Sequence, residues 1–183
     1  MAHDVLLVRH GAAAASWAES RDPGLSADGQ AHATLVASAL GDEKVCAIVS
    51  SPLARARETA LPLAARWGLE VDIDERVREI PSRVAMHERR AWLDAVMAAR
   101  WAELDDDIRQ WRERARHAVL GYGRDTVVFT HFMVINALVA DATGDTRVMC
   151  FEPDYGSITR LRCEGDRLTL VALGAVKRTL VNV

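Results

Sequence analysis

Cysteine, aromatic residues, surplus positive charge and long apolar runs are all scarce in this sequence, and each shortage excludes a class of protein. The three cysteines, Cys46, Cys150 and Cys163, are an odd number with no CxxC spacing, which argues against a disulfide framework. Cys46 and Cys163 lie in strand-like apolar runs, so the thiols are expected to be buried and reduced in a cytoplasmic protein. Aromatics make up only 5% of the chain; Trp67, Trp92, Trp101 and Trp111 are expected in packing, with Trp17 at the mouth of a pocket. No segment approaches the roughly 18 apolar residues of a membrane-spanning helix, so no membrane partner is expected. Met1 to Ala18 lacks a basic start, and Arg9 and His10 interrupt its apolar stretch, unlike a secretory signal. With 23 Lys and Arg against 26 Asp and Glu, the net charge is -3. Nucleic acid is therefore not the expected partner, and an anionic substrate would have to be drawn by a local cluster of cations.

What is present is an alternation of strands and helices. Repeats, low-complexity tracts and linkers are missing, so residues 1–183 read as one domain. Val5 to Val8 is a short buried strand. A helix capped by Ser26 runs to about Leu40, with Gly41 as its terminator. Val45 to Ser50 forms a second strand, followed by Ser51-Pro52 as N-cap and first helical residue. That helix ends near Gly68, with Pro62 expected to kink or break it. A short strand from about Leu69 to Ile73 comes next. Met86 to Leu120 is helical and charged, divided at Asp105-Asp106-Asp107, where acidic residues favour a helix start. A strand from Thr126 to Thr130 feeds a helix from Phe132 to Thr143, closed by Gly144. Finally, Ser157 to Cys163 and Arg167 to Leu173 read as a hairpin across Glu164-Gly165-Asp166.

The strand ends carry the chemistry. Arg9-His10-Gly11 follows the first strand, His131 follows the Thr126 to Thr130 strand, and the Val45 to Ser50 strand leads to the loop before Arg55. Ligands gather at the carboxyl ends of strands in open α/β sheets. An imidazole there can be a nucleophile and a guanidinium can clamp phosphate oxygens. Arg55 and Arg57 also sit near a helix start, where the dipole disfavours cations unless an anion is at hand.

These residues fall into five ordered blocks: Leu7-Val8-Arg9-His10-Gly11, Leu25-Ser26-Ala27-Asp28-Gly29, Ser50 through Ala60, Val77-Arg78-Glu79-Ile80, and Phe129-Thr130-His131. In that order, over nearly the whole chain, they resemble the histidine phosphatase superfamily, the phosphoglycerate-mutase-like branch 1. The resemblance implies an α/β fold, a three-layer α/β/α sandwich whose mostly parallel sheet has an antiparallel strand near the C-terminus. It implies a helical cap inserted at about 80–121. It also implies that His10 attacks phosphorus, that Arg9, Arg55 and His131 surround the phosphoryl oxygens, and that Glu79 protonates the leaving alcohol, with no metal and no cofactor. Asp72, Asp74, Glu75 and Glu88 are rival carboxylates for that role. The tautomer of His10 needs an acceptor on its other nitrogen, for which a backbone carbonyl in the Gly11 to Ala13 loop is the candidate.

Two departures from the family pattern bear on substrate. His131 is followed by Phe132 where glycine is common, which leaves its backbone N–H for phosphate while the side chain reshapes the pocket. Ala12, Ala13, Ala14 and Ala15 stand where mutases carry polar residues for a second anion. The chain also ends at Val183 with no tail for a lid. A phosphomonoesterase acting on a small phosphorylated substrate is thus expected. A phosphoglycerate-mutase-type phosphotransferase and a non-catalytic phosphate-binding or regulatory module are the alternatives. Arg83, Arg89 and Arg90 are candidates for a second anionic group or for a solvated helix face. An edge strand or the tryptophan-bearing helices could pair two copies as a homodimer.

Overall fold

The computed structural model describes residues 1–16, 19–43 and 45–177; Trp17 lies outside them. The strands β1 (His3–Arg9), β2 (Ala47–Ser50), β3 (Val71–Ile73), β4 (Thr126–Thr130), β5 (Ile158–Glu164) and β6 (Arg167–Ala172) form one sheet. Their order is β3-β2-β4-β1-β5-β6. The first four strands run parallel, β5 runs antiparallel to β1, and β6 returns along β5. The sheet is therefore mostly parallel, with its reversal at the C-terminal hairpin.

Strand periodicity divides the core into two. Val5, Leu7, Val49 and Val128 face one cluster, while Leu6, Val8, Ile48, Val127 and Phe129 face the other. The helices are α1 (Ala27–Ala39), α2 (Ala54–Trp67), α3 (Arg89–Ala98), α4 (Asp106–Gly121) and α5 (Phe132–Thr143). Helices α1 and α2 cover the second cluster, and α4 and α5 cover the first. This is the three-layer α/β/α sandwich. Gly68 and Gly144 end α2 and α5 in the left-handed conformation, with φ of 65° and 71°.

Two glycines of the motif blocks are needed where loops cross. A Cβ on Gly11 would lie 2.4 Å from the carbonyl oxygen of Gly29, and one on Gly29 would lie 2.0 Å from that of Ala12. No side chain fits at either position without separating the loop after β1 from the start of α1.

Several local expectations are corrected. Ser51 does not cap α2: the N-cap is Leu53, and Ser51 is instead buried at the end of β2. The α2 helix passes through Pro62 as a single element. Gly41 does not terminate α1 by a left-handed turn, since Leu40 caps it in a right-handed conformation. Cys46 is exposed, because it precedes β2 at the sheet margin, while Cys163 is buried and Cys150 half-buried, all three as free thiols. Within residues 80–121, Arg90, Leu93, Asp94 and Met97 of α3 line the central cavity. Helix α4 buries Ile108, Trp111, Ala115, Ala118 and Val119 in the core layer.

Candidate active site

Sheet register assembles the site. Arg9 of β1 pairs with Thr130 of β4, so the next residues, His10 and His131, emerge side by side. Ser50 of β2 pairs with Phe129, which places Ser51 beside them. The backbone continues this alignment past the strands: the His10 N–H donates to the Thr130 carbonyl at 3.0 Å, and the Ser51 N–H to Phe129 at 2.9 Å. The two imidazole centroids are 5.2 Å apart, close to the spacing of neighbouring strands. Arg55 enters from the first turn of α2 and is buried. Thr59, one turn on, accepts the Gly11 N–H at 3.0 Å and donates to the Arg55 carbonyl at 2.6 Å, tying that helix to the loop.

Hydrogen bonding fixes the state of His10. Its Nδ1 lies 2.7 Å from the Gly11 carbonyl, which can only accept, so Nδ1 carries the proton. Nε2 is left with its lone pair and accepts from Arg55 Nε at 3.1 Å. Burial first, and the Arg55 guanidinium second, hold the imidazole well below its ordinary range. A nitrogen deprotonated at neutral pH is what a nucleophilic histidine requires.

The cations are costly where they sit. Burial lowers both Arg9 and Arg55 from the usual guanidinium range. Arg9 donates from Nη1 to the Pro153 carbonyl at 2.7 Å, and its guanidinium carbon lies 4.0 Å from the Tyr155 ring centroid and 5.2 Å from that of Phe132. Yet Arg9 Nε, Arg55 Nη1 and His131 Nδ1 are buried polar atoms with no hydrogen-bond partner among the described residues. Native interiors pair such atoms. Three of them around one pair of imidazoles mark a place built for an anion with several acceptor oxygens.

Glu79 shares the cavity with Arg9, His10 and Arg55. Its Oε1 accepts the Ile80 N–H at 2.9 Å, and the Met133 N–H at the start of α5 also contributes. Burial raises its pKa above the usual carboxylate value, while those two amides, Arg55 and Arg9 oppose the rise. The rival carboxylates lie elsewhere. Asp74 is bound by Arg76 and the Tyr122 hydroxyl, Asp72 and Glu75 are exposed, and Glu88 accepts the Ala85 N–H. The cavity has a volume of about 420 Å³, within the range of small-molecule sites. Phe132 lines it. Arg57 is exposed and outside it, and Arg83 pairs with Asp107 at 2.7 Å.

The sequence matches the profile of the histidine phosphatase superfamily (branch 1) across residues 5–176. The chain belongs to the histidine phosphatase superfamily. It is 34% identical to the uncharacterized protein Rv0525 of Mycobacterium tuberculosis over 79% of this chain and 80% of that protein. Among solved structures, it is similar to the mycobacterial glucosyl-3-phosphoglycerate phosphatase Rv2419c, with a TM-score of 0.76 and 25% identity over 96% of this chain and 100% of that one. The phosphoserine phosphatase of Entamoeba histolytica shares the fold, with a TM-score of 0.75 and 20% identity over 96% and 98% of the two chains.

Three residues of this histidine phosphatase site were not singled out by sequence. Tyr155 covers Arg9 and lies 6.0 Å from His10, centroid to centroid. His32 stacks on Tyr155 at 5.8 Å and accepts the Ala12 N–H at 3.3 Å. Ser51 is the most informative. Its Oγ accepts the Leu53 N–H at 3.2 Å and lies 2.7 Å from His131 Nε2. Oγ has a second lone pair and a proton, so it can accept from or donate to Nε2; a phosphoryl oxygen at the unpartnered Nδ1 selects the tautomer with the proton on Nδ1, in which Ser51 donates to Nε2. Burial, then Arg55, keep His131 neutral. Replacing Ser51 with Ala frees that tautomer and is expected to lower kcat/KM by roughly 10- to 100-fold, as loss of an orienting partner commonly does. Vanadate inhibition should weaken in parallel, and nitrogen NMR should report mixed His131 tautomers. An unchanged vanadate affinity would refute the orienting role.

Proposed function

We propose that this protein is a phosphomonoesterase that works through a phosphohistidine on His10 and requires no metal. The observation that carries the reading is the Nδ1–H bond from His10 to the Gly11 carbonyl, which leaves Nε2 deprotonated, its lone pair held by Arg55 Nε until a phosphoryl oxygen takes that donor. In the first step Nε2 bonds to phosphorus as the ester P–O bond breaks, its electrons passing to the leaving oxygen. Glu79 gives that oxygen a proton. In the second step water attacks phosphorus, loses a proton to Glu79, and the P–N bond returns its pair to Nε2.

Arg9, Arg55, His131 Nδ1 and the Phe132 N–H stabilise the equatorial oxygens. Phosphoryl transfer asks little beyond this charge stabilisation and in-line positioning. The phosphatase activity named for the mycobacterial neighbour supports hydrolysis as the outcome. A mutase must hold its phosphoenzyme away from water and grip a second anionic group. Here Ala13 and Ala15 line the cavity and offer no such grip.

The test is rapid quenching with phosphorus-labelled aryl phosphate. A burst of protein-bound label is expected, stable to alkali and released by acid, decaying within milliseconds to seconds without an acceptor alcohol. Persistence of the label until an acceptor alcohol is added would favour the mutase. Absence of both label and turnover would favour the binding module.

A further inference from the structure

Two halves of the cavity differ in chemistry. The inner half holds Arg9, His10, Arg55 and Glu79, and the buried polar atoms without partners, Arg9 Nε and Arg55 Nη1, are there. The outer half is walled by Ala13, Leu93, Met97 and Met149, and Phe132 beside Arg9 and Met133 beside Glu79 carry the apolar lining inward. Leu93, Met97 and Phe132 also pack against the first core cluster, and Met133 is buried within it, so the apolar wall is anchored. Three methionines give this wall a polarizable surface that adapts to shape.

The charges on the outer lip balance. Arg90 pairs with Asp94 at 3.2 Å, and Lys177 stands on the lip with Glu152. A substrate carboxylate or second phosphate would meet two carboxylates as well as two cations on this lip, with Arg90 already held by Asp94. Arg83 is engaged with Asp107 and does not line the cavity. The outer half therefore carries no net positive charge to favour a second anionic group.

We infer that the alcohol half of the substrate is apolar and uncharged, an alkyl or aryl alcohol seated against Leu93, Met97, Met133 and Met149, and that substrates with a second anion are selected against. This rests on the phosphomonoesterase reading and adds to it a substrate class. Apolar contact rewards each added carbon, while an anion carried into this wall loses its hydration without a partner.

The experiment compares kcat/KM of the full chain for n-alkyl phosphates from ethyl to hexyl with that for 3-phosphoglycerate and phosphoserine. All are esters of aliphatic alcohols, which limits differences in intrinsic leaving ability. The alkyl series should climb by up to about fourfold per methylene until the cavity fills. Hexyl phosphate should exceed 3-phosphoglycerate by roughly 100-fold. Met97→Lys, which adds an unpaired cation to the wall, should narrow that gap at least tenfold, and Met97→Leu should keep it.

A flat alkyl series, or 3-phosphoglycerate turned over as well as hexyl phosphate, would overturn the substrate class and leave the phosphatase standing. Turnover of none of these esters, together with none of an aryl phosphate, would instead sink the phosphatase reading. The wild-type series decides the matter even where the Met97→Lys protein does not fold.

Discussion

Replacing His10 with alanine is expected to reduce kcat/KM for an aryl phosphate by at least about 10⁴-fold, because removing a nucleophile removes the whole covalent route and not one contact among several. The protein should remain folded. His10 lies at the end of β1, outside the two apolar clusters, and among the described residues its side-chain hydrogen bonds go to Gly11 and Arg55, while its backbone bond to Thr130 survives truncation. Removing it leaves Arg55 Nε unpaired, yet also opens room for water or a bound anion to reach the guanidiniums. The melting temperature should therefore shift by only a few degrees, while vanadate or phosphate should still raise it through Arg9, Arg55 and His131. The informative result is the separation of two properties: anion binding survives and turnover does not. If His10→Ala kept more than about a hundredth of wild-type activity on a scrupulously pure preparation, water would have to attack phosphorus directly and the phosphohistidine route would fall.

Much of this site could be read from sequence because its main groups sit on regular strand ends. Arg9-His10 and His131 each follow an apolar run, and parallel pairing of β1 with β4 then makes their convergence a matter of register. Arg55 was legible because it stands at the family's clamp position; the helix-dipole argument applied equally to Arg57, which is exposed, whereas Arg55 is buried without a partner for Nη1 among the described residues. The acceptor for His10 Nδ1 was open to anticipation because any loop beginning at Gly11 places a carbonyl within reach.

Ser51 was misread because Ser-Pro before a helix is the ordinary signature of an N-cap, a local pattern. Its actual partner, His131, is 80 residues away. Tyr155 was invisible for a similar reason, since its place over Arg9 depends on the segment before β5 folding back to the end of β1, where the Gly156 N–H donates to the Arg9 carbonyl at 2.9 Å. Of the arginines between 83 and 90, only Arg90 reaches the cavity, and Asp94 one turn along α3 already neutralises it. A count of charges along the chain cannot show that pairing, because it depends on which helix face meets the pocket.

Replacing Glu79 with glutamine should produce a loss whose size depends on the leaving group. For a simple alkyl phosphate the departing alkoxide needs a proton, and removing the acid should cost about 10² to 10⁴ in kcat/KM. For a dinitrophenyl phosphate the leaving phenolate needs none, and the loss should stay below about tenfold. Glutamine keeps an oxygen to accept the Ile80 N–H, so the pocket's shape should persist.

The pH profile supplies an independent check with a definite sign. His10 must be neutral, and burial with Arg55 has lowered its pKa well below 6.5, so the acid limb lies under the ordinary histidine value. Glu79 must be protonated, and burial has raised its pKa above 4.5, so activity falls as pH rises through that higher value. With unshifted values, any pH that protonates the carboxyl would also protonate the imidazole; the two shifts act in opposite directions and enlarge the population carrying both correct states. A bound phosphoryl dianion near Glu79 raises it further, so the alkaline limb of kcat should lie at higher pH than that of kcat/KM. In Glu79→Gln the alkaline limb of kcat/KM should vanish for the alkyl ester, while the acid limb stays with His10. Equal losses on both esters, with the alkaline limb unmoved, would mean that the proton comes from another group and that Glu79 serves to hold Ile80 and the start of α5 in place.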